Sequence, residues 1–286
     1  TTSMTQHPGS CLCGSVGWQF SGTPHEATHC HCTMCRKAHG AAFGTYYSVD
    51  ADVFQWTTPV DCIVSYRSSP EIVRPFCAHC GSVVPVADES TGHILIPAGC
   101  HRHGPPVTAH IFVASRAPWH EIDDDLPQHA EFDPESPGNV YAASEMPTKP
   151  ADVVARGSCL CGAVAFDVVE PFRVIYNCHC SRCRSARAAA FTTNGFTSDQ
   201  GVRFTRGEEH VRHFKLPQAK YFTHAFCDTC GSGMPRIDSG RKVAVVPLGA
   251  LDDDPEQGPV SHIHTADKAD WYHTGSRLPQ FEQGPS

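Results

Sequence analysis

Concentrated positive charge and long apolar runs are both missing from this sequence of 286 residues. Lys and Arg number 22 against 30 Asp and Glu, which gives a formal net charge of -8. Binding to phosphate backbones needs clustered cations, so nucleic acid is not an expected partner. No apolar run approaches the roughly 20 residues that span a bilayer. We therefore predict a protein that engages neither nucleic acid nor a membrane.

A secretory signal is also missing, because no basic segment followed by an apolar one opens the chain. We expect a cytoplasmic protein on this ground. The sequence nevertheless holds sixteen cysteines. In a cytosolic protein such cysteines serve metal binding or catalysis more often than disulfides. Composition alone leaves both explanations open, and the spacing of the cysteines has to decide.

Three cysteine blocks occur twice along the chain. Residues 9–14 (GSCLCG) recur as 157–162, residues 30–36 (CHCTMCR) as 178–184 (CHCSRCR), and residues 76–82 (FCAHCGS) as 226–232 (FCDTCGS). The offset is 148 residues from Cys11 to Cys159, 150 from Cys77 to Cys227 and 152 from Trp119 to Trp271. The chain is therefore a tandem duplication with small insertions between equivalent blocks.

The segment between the copies is rich in Pro, Ser, Gly and Ala and reads as a linker. We place the first domain at 1–132, the linker at 133–152 and the second domain at 153–286.

Within each copy the pattern favours short strands. Val16, Trp18 and Phe20 alternate with small or polar residues, as do Val164, Phe166 and Val168 in the second copy. Further strand candidates are 94–96, 110–113 and 243–246, and the Ala-rich segments 36–43 and 184–191 predict short helical turns. We expect a mainly β protein of two metal-supported domains.

One set of cysteines in each copy forms two close pairs. Four thiolates in this arrangement suit a closed, tetrahedral, structural zinc site. The predicted ligands are Cys11, Cys13, Cys77 and Cys80, and in the second copy Cys159, Cys161, Cys227 and Cys230. Two disulfides per domain and a rubredoxin-like iron site are the alternatives.

The remaining set offers three cysteines within six residues: Cys30, Cys32 and Cys35, and in the second copy Cys178, Cys180 and Cys183. Three protein ligands with one open position are typical of a catalytic zinc site. A thiolate-rich zinc suits holding a substrate thiolate in its nucleophilic form. The alternative is a second structural zinc that takes its fourth ligand from elsewhere. We predict up to four Zn²⁺ per chain, with Cys32 and Cys180 as candidate catalytic residues.

Histidines crowd the same blocks. His31 and His179 lie inside the three-cysteine motifs, where a proton-shuttle or surface role is favoured over ligation. Most of the other first-copy histidines are expected on the surface: His29, His39, His79, His101 and His103. Cys62 and Cys100 have no cysteine counterpart, and we interpret them as buried free cysteines, with an extra ligand or a redox thiol as the alternative.

The order of these motifs resembles the glutathione-dependent formaldehyde-activating enzyme family, which includes the centromere protein V domain. Residues 114–119 (ASRAPW), followed by Leu126 and Pro127, are similar to that family's C-terminal block. The resemblance implies a β-tent fold of mostly antiparallel strands, with a structural zinc on the four-cysteine sets and a labile zinc on the three-cysteine sets. It also implies the synthesis of S-(hydroxymethyl)glutathione, formally a carbon–sulfur lyase run in reverse, with glutathione or another small thiol as co-substrate.

Each copy departs from the family pattern in a different place. The first keeps residues 36–40 (RKAHG), whereas the second has 184–188 (RSARA). Conversely, residues 249–253 (GALDD) resemble the family and residues 99–103 (GCHRH) do not. We expect the two pockets to have diverged. A non-catalytic zinc module that binds a protein and a zinc or thiol redox sensor are the alternatives to an enzyme.

Overall fold

The fold is described by a computed structural model for residues 5–135, 138, 140 and 145–285. The strands of the first half are β1 (Gln6–Ser10), β2 (Gly17–Ser21), β3 (Glu26–Cys30), β4 (Gly44–Asp50), β5 (Phe54–Trp56), β6 (Ile63–Arg67), β7 (Val73–Cys77), β8 (Val86–Ala87), β9 (His93–Pro97) and β10 (Ala109–Ile111). Those of the second half are β11 (Ala155–Ser158), β12 (Ala165–Val168), β13 (Val174–Cys178), β14 (Thr192–Thr197), β15 (Val202–Arg206), β16 (Val211–Lys215), β17 (Thr223–Cys227), β18 (Arg236–Asp238), β19 (Val243–Pro247) and β20 (Ser261–Ile263). Two helices, α1 (Thr33–His39) and α2 (Ser181–Arg187), occupy equivalent places.

Both halves have the same sheet topology. A three-stranded sheet (β1-β2-β5 or β11-β12-β15) accompanies a five-stranded sheet (β10-β3-β4-β9-β8 or β18-β19-β14-β13-β20) and a hairpin (β6-β7 or β16-β17). Neighbouring strands are antiparallel except for β10 on β3 and β20 on β13, which are parallel. The prediction of a mainly β fold with mostly antiparallel strands is thus confirmed.

The period-two pattern places the predicted side chains in the core. Trp18 and Phe20 on β2 and Phe166 on β12 are at most 1% exposed. The predicted strands at 94–96 and 243–246 correspond to β9 and β19, while β10 ends at Ile111, two residues before the predicted end. The helices begin three residues before the predicted turns because the side chains of Cys32 and Cys180 cap them. Each capping sulfur accepts a hydrogen bond from the backbone amide three residues later, that of Cys35 or Cys183.

The two halves share one hydrophobic core. A single cluster of buried residues runs from Cys11 to Tyr272, and Phe43 meets Phe191 across it with ring centroids 5.6 Å apart. Two glycines allow the backbones to touch: a Cβ on Gly99 would lie 2.0 Å from Ala189 N, and one on Gly249 would lie 2.3 Å from Ala41 N. The halves are therefore packed face to face, each with its helix against the other's glycine turn.

The chain between the halves is mostly irregular. The described residues between Ser115 and Ala155 hold no helix or strand. Residues 136, 137, 139 and 141–144 of the predicted linker lie outside the described residues. The boundaries at 132 and 153 stay a prediction.

Candidate metal centres and the pockets beside them

The four-cysteine sets assemble in both halves as the spacing predicts. The Sγ atoms of Cys11, Cys13, Cys77 and Cys80 lie within 4.8 Å of one another, and so do those of Cys159, Cys161, Cys227 and Cys230. Each set joins the turn after the first strand of its half to the turn after the hairpin. All sixteen cysteines are free thiols, so the disulfide alternative has no support in the structure.

The sulfur geometry fits a tetrahedral ion. Zn–S bonds of about 2.3 Å place the sulfurs of a tetrahedral site roughly 3.8 Å apart. The Sγ atoms of Cys13 and Cys77 are 3.7 Å apart, and those of Cys161 and Cys227 are 3.8 Å apart. Backbone amides add support, since Val16 N lies 3.3 Å from Cys11 Sγ and Val164 N lies 3.2 Å from Cys159 Sγ. The donors present therefore suit zinc at both sets.

The three-cysteine sets also converge. The Sγ atoms of Cys30, Cys32 and Cys35 lie within 4.8 Å of one another, as do those of Cys178, Cys180 and Cys183. The first cysteine of each set ends a core strand, the second caps the helix, and the third lies in its first turn. Hydrogen bonds from Cys178 and Cys183 lower the pKa of Cys180. Three converging sulfurs that each half brings together offer a metal ion three of its four tetrahedral ligands.

In the first half, a buried arginine faces the three sulfurs. The Arg74 side chain is 7% exposed, and its Nη1 and Nη2 atoms lie 3.7 and 3.6 Å from Cys35 Sγ. Hydrogen bonds from Cys30 and Cys32, with the charge of Arg74 as a further cause, hold the pKa of Cys35 well below its usual value. Next to this pair, the Tyr46 hydroxyl lies 2.7 Å from Nε2 of the buried His39. The first pocket thus places a cation and a phenol beside the sulfurs.

In the second half, the same positions carry different groups. His224 replaces Arg74, Asn194 replaces Tyr46 and Arg187 replaces His39. His224 is 3% exposed, and neither ring nitrogen has a hydrogen-bond partner. A cavity of about 40 Å³ lies between these residues and Cys183.

The motif histidines contact histidines of the neighbouring strands β10 and β20. His31 and His179 are fully buried, so a surface role is wrong for both. His31 Nε2 lies 2.8 Å from His110 Nδ1, and His179 Nε2 lies 2.8 Å from His262 Nδ1. Burial lowers the pKa of His31 to about 2, so this ring is neutral in the folded protein. A proton-shuttle role for either histidine stays a prediction.

The other singled-out residues divide between surface and interior. His79 and His103 are exposed as expected, but His29, His39 and His101 are at most 1% exposed. The surface expectation is wrong for these three because their rings fill the core; His101, for example, accepts a 3.0 Å hydrogen bond from Trp18 Nε1. Cys62 and Cys100 are free and only half-buried.

The departures of the two copies from the family pattern meet at the interface between the halves. Lys37 of the first half crosses to the second, where its Nζ donates to Ser158 O at 2.7 Å and lies 2.6 Å from Asp252 Oδ1. The equivalent positions on the other side of the interface are Ser185 and Arg102, which cannot form this pair. One lysine–aspartate pair is therefore kept intact, and the other has lost both members.

A larger cavity of about 490 Å³ lies between the halves, away from the sulfurs. The C-terminal segments around His120 and Arg277 form its walls, together with Asn177 and His262, and no cysteine lines it. Its size is within the range of small-molecule sites.

The family model described as glutathione-dependent formaldehyde-activating enzyme matches residues 6–115 and again residues 154–267. This chain belongs to that family. The two matches also confirm two tandem copies of its domain.

Individual relatives match less than half of this chain each. A protein from Halomonas elongata that carries the name of a glutathione-dependent formaldehyde-activating enzyme is 29% identical over 135 residues, which are 44% of this chain and 83% of the relative. A solved structure of a Rhodobacter sphaeroides protein is 25% identical and covers 36% of this chain and 97% of its own, with a TM-score of 0.29. Among the described residues, no helix has the length and apolar character that a bilayer crossing needs.

The residues beside the sulfurs were missed by the sequence analysis. Arg74 and His224 lie on strands β7 and β17, three residues before Cys77 and Cys227. The offset of 150 residues already aligned them. A comparison of every aligned pair, rather than of the cysteine blocks alone, would have revealed the exchange of arginine for histidine.

Proposed function

We propose that this protein is a zinc-dependent carbon–sulfur lyase of the S-(hydroxymethyl)glutathione synthase type, which joins a small thiol to an aldehyde or releases it from the adduct. The observation that carries the proposal is the three-cysteine cluster with a polar pocket beside it. Membership of the family supports glutathione as the thiol and formaldehyde as the aldehyde.

Zinc held by Cys30, Cys32 and Cys35, or by Cys178, Cys180 and Cys183, would stabilise a substrate thiol as its thiolate near neutral pH. The chain itself supplies charge and hydrogen-bond donors. Arg74 places its guanidinium on Cys35 in the first half, and a cation beside thiolates offsets their mutual repulsion.

The reaction balances with these groups. The thiolate sulfur adds to the carbonyl carbon, and the carbonyl π electrons move to the oxygen. The resulting alkoxide takes up the proton that the thiol lost, giving the hydroxymethyl thioether. Donors aimed at this oxygen stabilise it where charge develops. Arg74 is the donor beside the first cluster, and His224 and Arg187 are those beside the second.

The test is NMR exchange spectroscopy of glutathione with formaldehyde in the presence of the zinc-loaded protein. We expect exchange faster than the protein-free rate, and loss of that acceleration in the Cys32→Ser/Cys180→Ser variant. Cys100→Ser is the matched control, since it removes a half-buried cysteine that belongs to neither set. No acceleration by the wild-type protein, or acceleration that survives in Cys32→Ser/Cys180→Ser, would contradict the proposal.

A further inference from the structure

The second half contains a buried imidazole, that of His224, without a hydrogen-bond partner. His224 is 3% exposed, and both of its ring nitrogens lack a hydrogen-bond partner. Burying polar atoms without hydrogen-bond partners is costly, so native structures seldom retain them without a role. The unpaired ring nitrogens of His224 therefore indicate a ligand that hydrogen-bonds to them.

A second orphan lines the same cavity. The amide of Asn194 donates from Nδ2 to Thr192 Oγ1 at 3.0 Å, but its Oδ1 is buried without a partner. The guanidinium groups of Arg187 and Arg236 also line this space, and Arg236 is paired with Asp238. Cys183 closes the cavity on the side of the sulfur cluster. Polar groups therefore converge here from strands β14, β17 and β18 and from helix α2.

The charge and size of the cavity restrict the ligand. Arg187 donates from Nη1 to Gly40 O at 3.2 Å, which uses one of its five N–H groups. A guanidinium with free donors favours a carboxylate or another oxyanion. One water needs roughly 10–15 Å³, so a cavity of about 40 Å³ admits a group of about three non-hydrogen atoms.

We propose that His224 and Arg187 are the donors of a subsite for a small oxyanion, the size of a one-carbon carboxylate or alkoxide, beside the second three-cysteine cluster and absent from the first. Asn194 Oδ1 would serve as an acceptor for that oxygen once it is protonated. The identity of the physiological ligand rests on the proposed function, in which this oxygen is that of the aldehyde or its thiol adduct. The subsite itself rests on the orphaned atoms and the cavity.

The first half lacks such unpaired atoms because the side chains of its pocket hydrogen-bond to one another. Arg74 donates from Nε to Ser68 Oγ at 3.0 Å and places both terminal nitrogens on Cys35. Tyr46 and His39 hydrogen-bond to each other. None of the three is among the described residues with an orphaned buried atom. The polar side chains of the first pocket thus hydrogen-bond to one another, whereas those of the second leave buried atoms without partners.

The experiment is a titration of the full-length, zinc-loaded chain with ¹³C-formate, followed by NMR line broadening of formate and by the imidazole ¹⁵N shifts of the protein. We expect saturable binding with a shift of one buried histidine. His224→Phe should weaken binding by about tenfold or more, as removal of a hydrogen bond to a charged group does. Formamide, the neutral analogue, should bind more weakly than formate.

Two further variants keep the result interpretable. Asn194→Tyr introduces the residue that the first half already has at this position, so the fold should accept it, and the phenol ring should fill the cavity and abolish binding. His213→Phe alters an exposed histidine on the neighbouring strand β16 and should leave binding unchanged. Wild-type affinity in both His224→Phe and Asn194→Tyr would overturn the subsite, because formate would then bind at the metal alone.

The titration needs no turnover, so the two proposals fail separately. Formate binding that depends on His224, without accelerated thiol exchange, would overturn the proposed function and leave the subsite standing. Accelerated exchange without formate binding would overturn the subsite alone.

Discussion

The two halves share sheets, helices and cysteine sets, yet they differ wherever a side chain meets the other half or the sulfur clusters. Lys37 and Asp252 pair across the interface, whereas the equivalent Ser185 and Arg102 do not. Arg74 and His224 occupy one position in the repeat and create two kinds of pocket. The backbone and the metal ligands are thus the constant part of the repeat, and the variable part lies at contacts that are no longer symmetric.

The largest expected effect separates the two kinds of cysteine set. Cys77→Ser and Cys227→Ser should each destabilise the protein by more than about 5 kcal/mol, because structural zinc contributes about 10–16 kcal/mol to the folding of zinc-finger peptides. Since the halves share one core, either substitution should unfold the whole chain in a single transition. Thermal unfolding with zinc analysis measures this.

Cys32→Ser and Cys180→Ser are the matched comparison for that prediction. They should lose one zinc each and keep the fold. Equal destabilisation by all four substitutions would show that the three-cysteine sets are structural as well.

The next effect tests the surviving ion pair. Lys37→Met should lower the free energy of unfolding by about 3 kcal/mol, because it removes the cation paired with the largely buried Asp252 carboxylate; the two side chains are 10% and 12% exposed. Urea unfolding gives the value. Arg102→Met is the control, since it breaks an exposed pair with Asp267 across the same interface and should change stability by less than about 1 kcal/mol. Similar losses of stability in both variants would show that the Lys37–Asp252 pair contributes no more than the exposed Arg102–Asp267 pair.

The smallest effect concerns His120, whose equivalent in the second half is Tyr272. Burial lowers the pKa of His120 to about 3, against about 6.5 in an unfolded chain. Below pH 6.5 the unfolded chain binds a proton that the folded chain does not, so stability falls as pH falls, by about 1.4 kcal/mol per pH unit. His120→Tyr should therefore remove up to about 2 kcal/mol of the stability lost between pH 6.5 and 5, a change measured by urea unfolding at both pH values. An unchanged pH slope would show that His120 is protonated in the folded state.

The sequence was sufficient for the repeat, the strands and the cysteine sets, because each of these leaves a local pattern. Alternation placed Trp18 and Phe20 in the core, and close spacing brought Cys11 and Cys13 together. The face-to-face packing of the halves left no such pattern. His29, His39 and His101 are buried because the second half or the core covers them, and that covering depends on contacts between residues far apart in the chain. For the same reason the sequence showed Lys37 only as part of the family pattern in the first copy, and not as a residue that pairs with the second half.

The Lys37 contact has a consequence for what a single chain allows. In a dimer of identical subunits, every substitution enters both subunits at once, so a lysine and an aspartate that meet across a twofold axis would be kept twice or lost twice. Joined in one polypeptide, the two sides of the axis vary independently. The Lys37–Asp252 pair stabilises the interface, while the symmetry-equivalent position carries other residues. Arg74 and His224 likewise occupy a position at which a symmetric dimer would have one residue type. Covalent linkage is thus the feature that permits two different pockets on one fold.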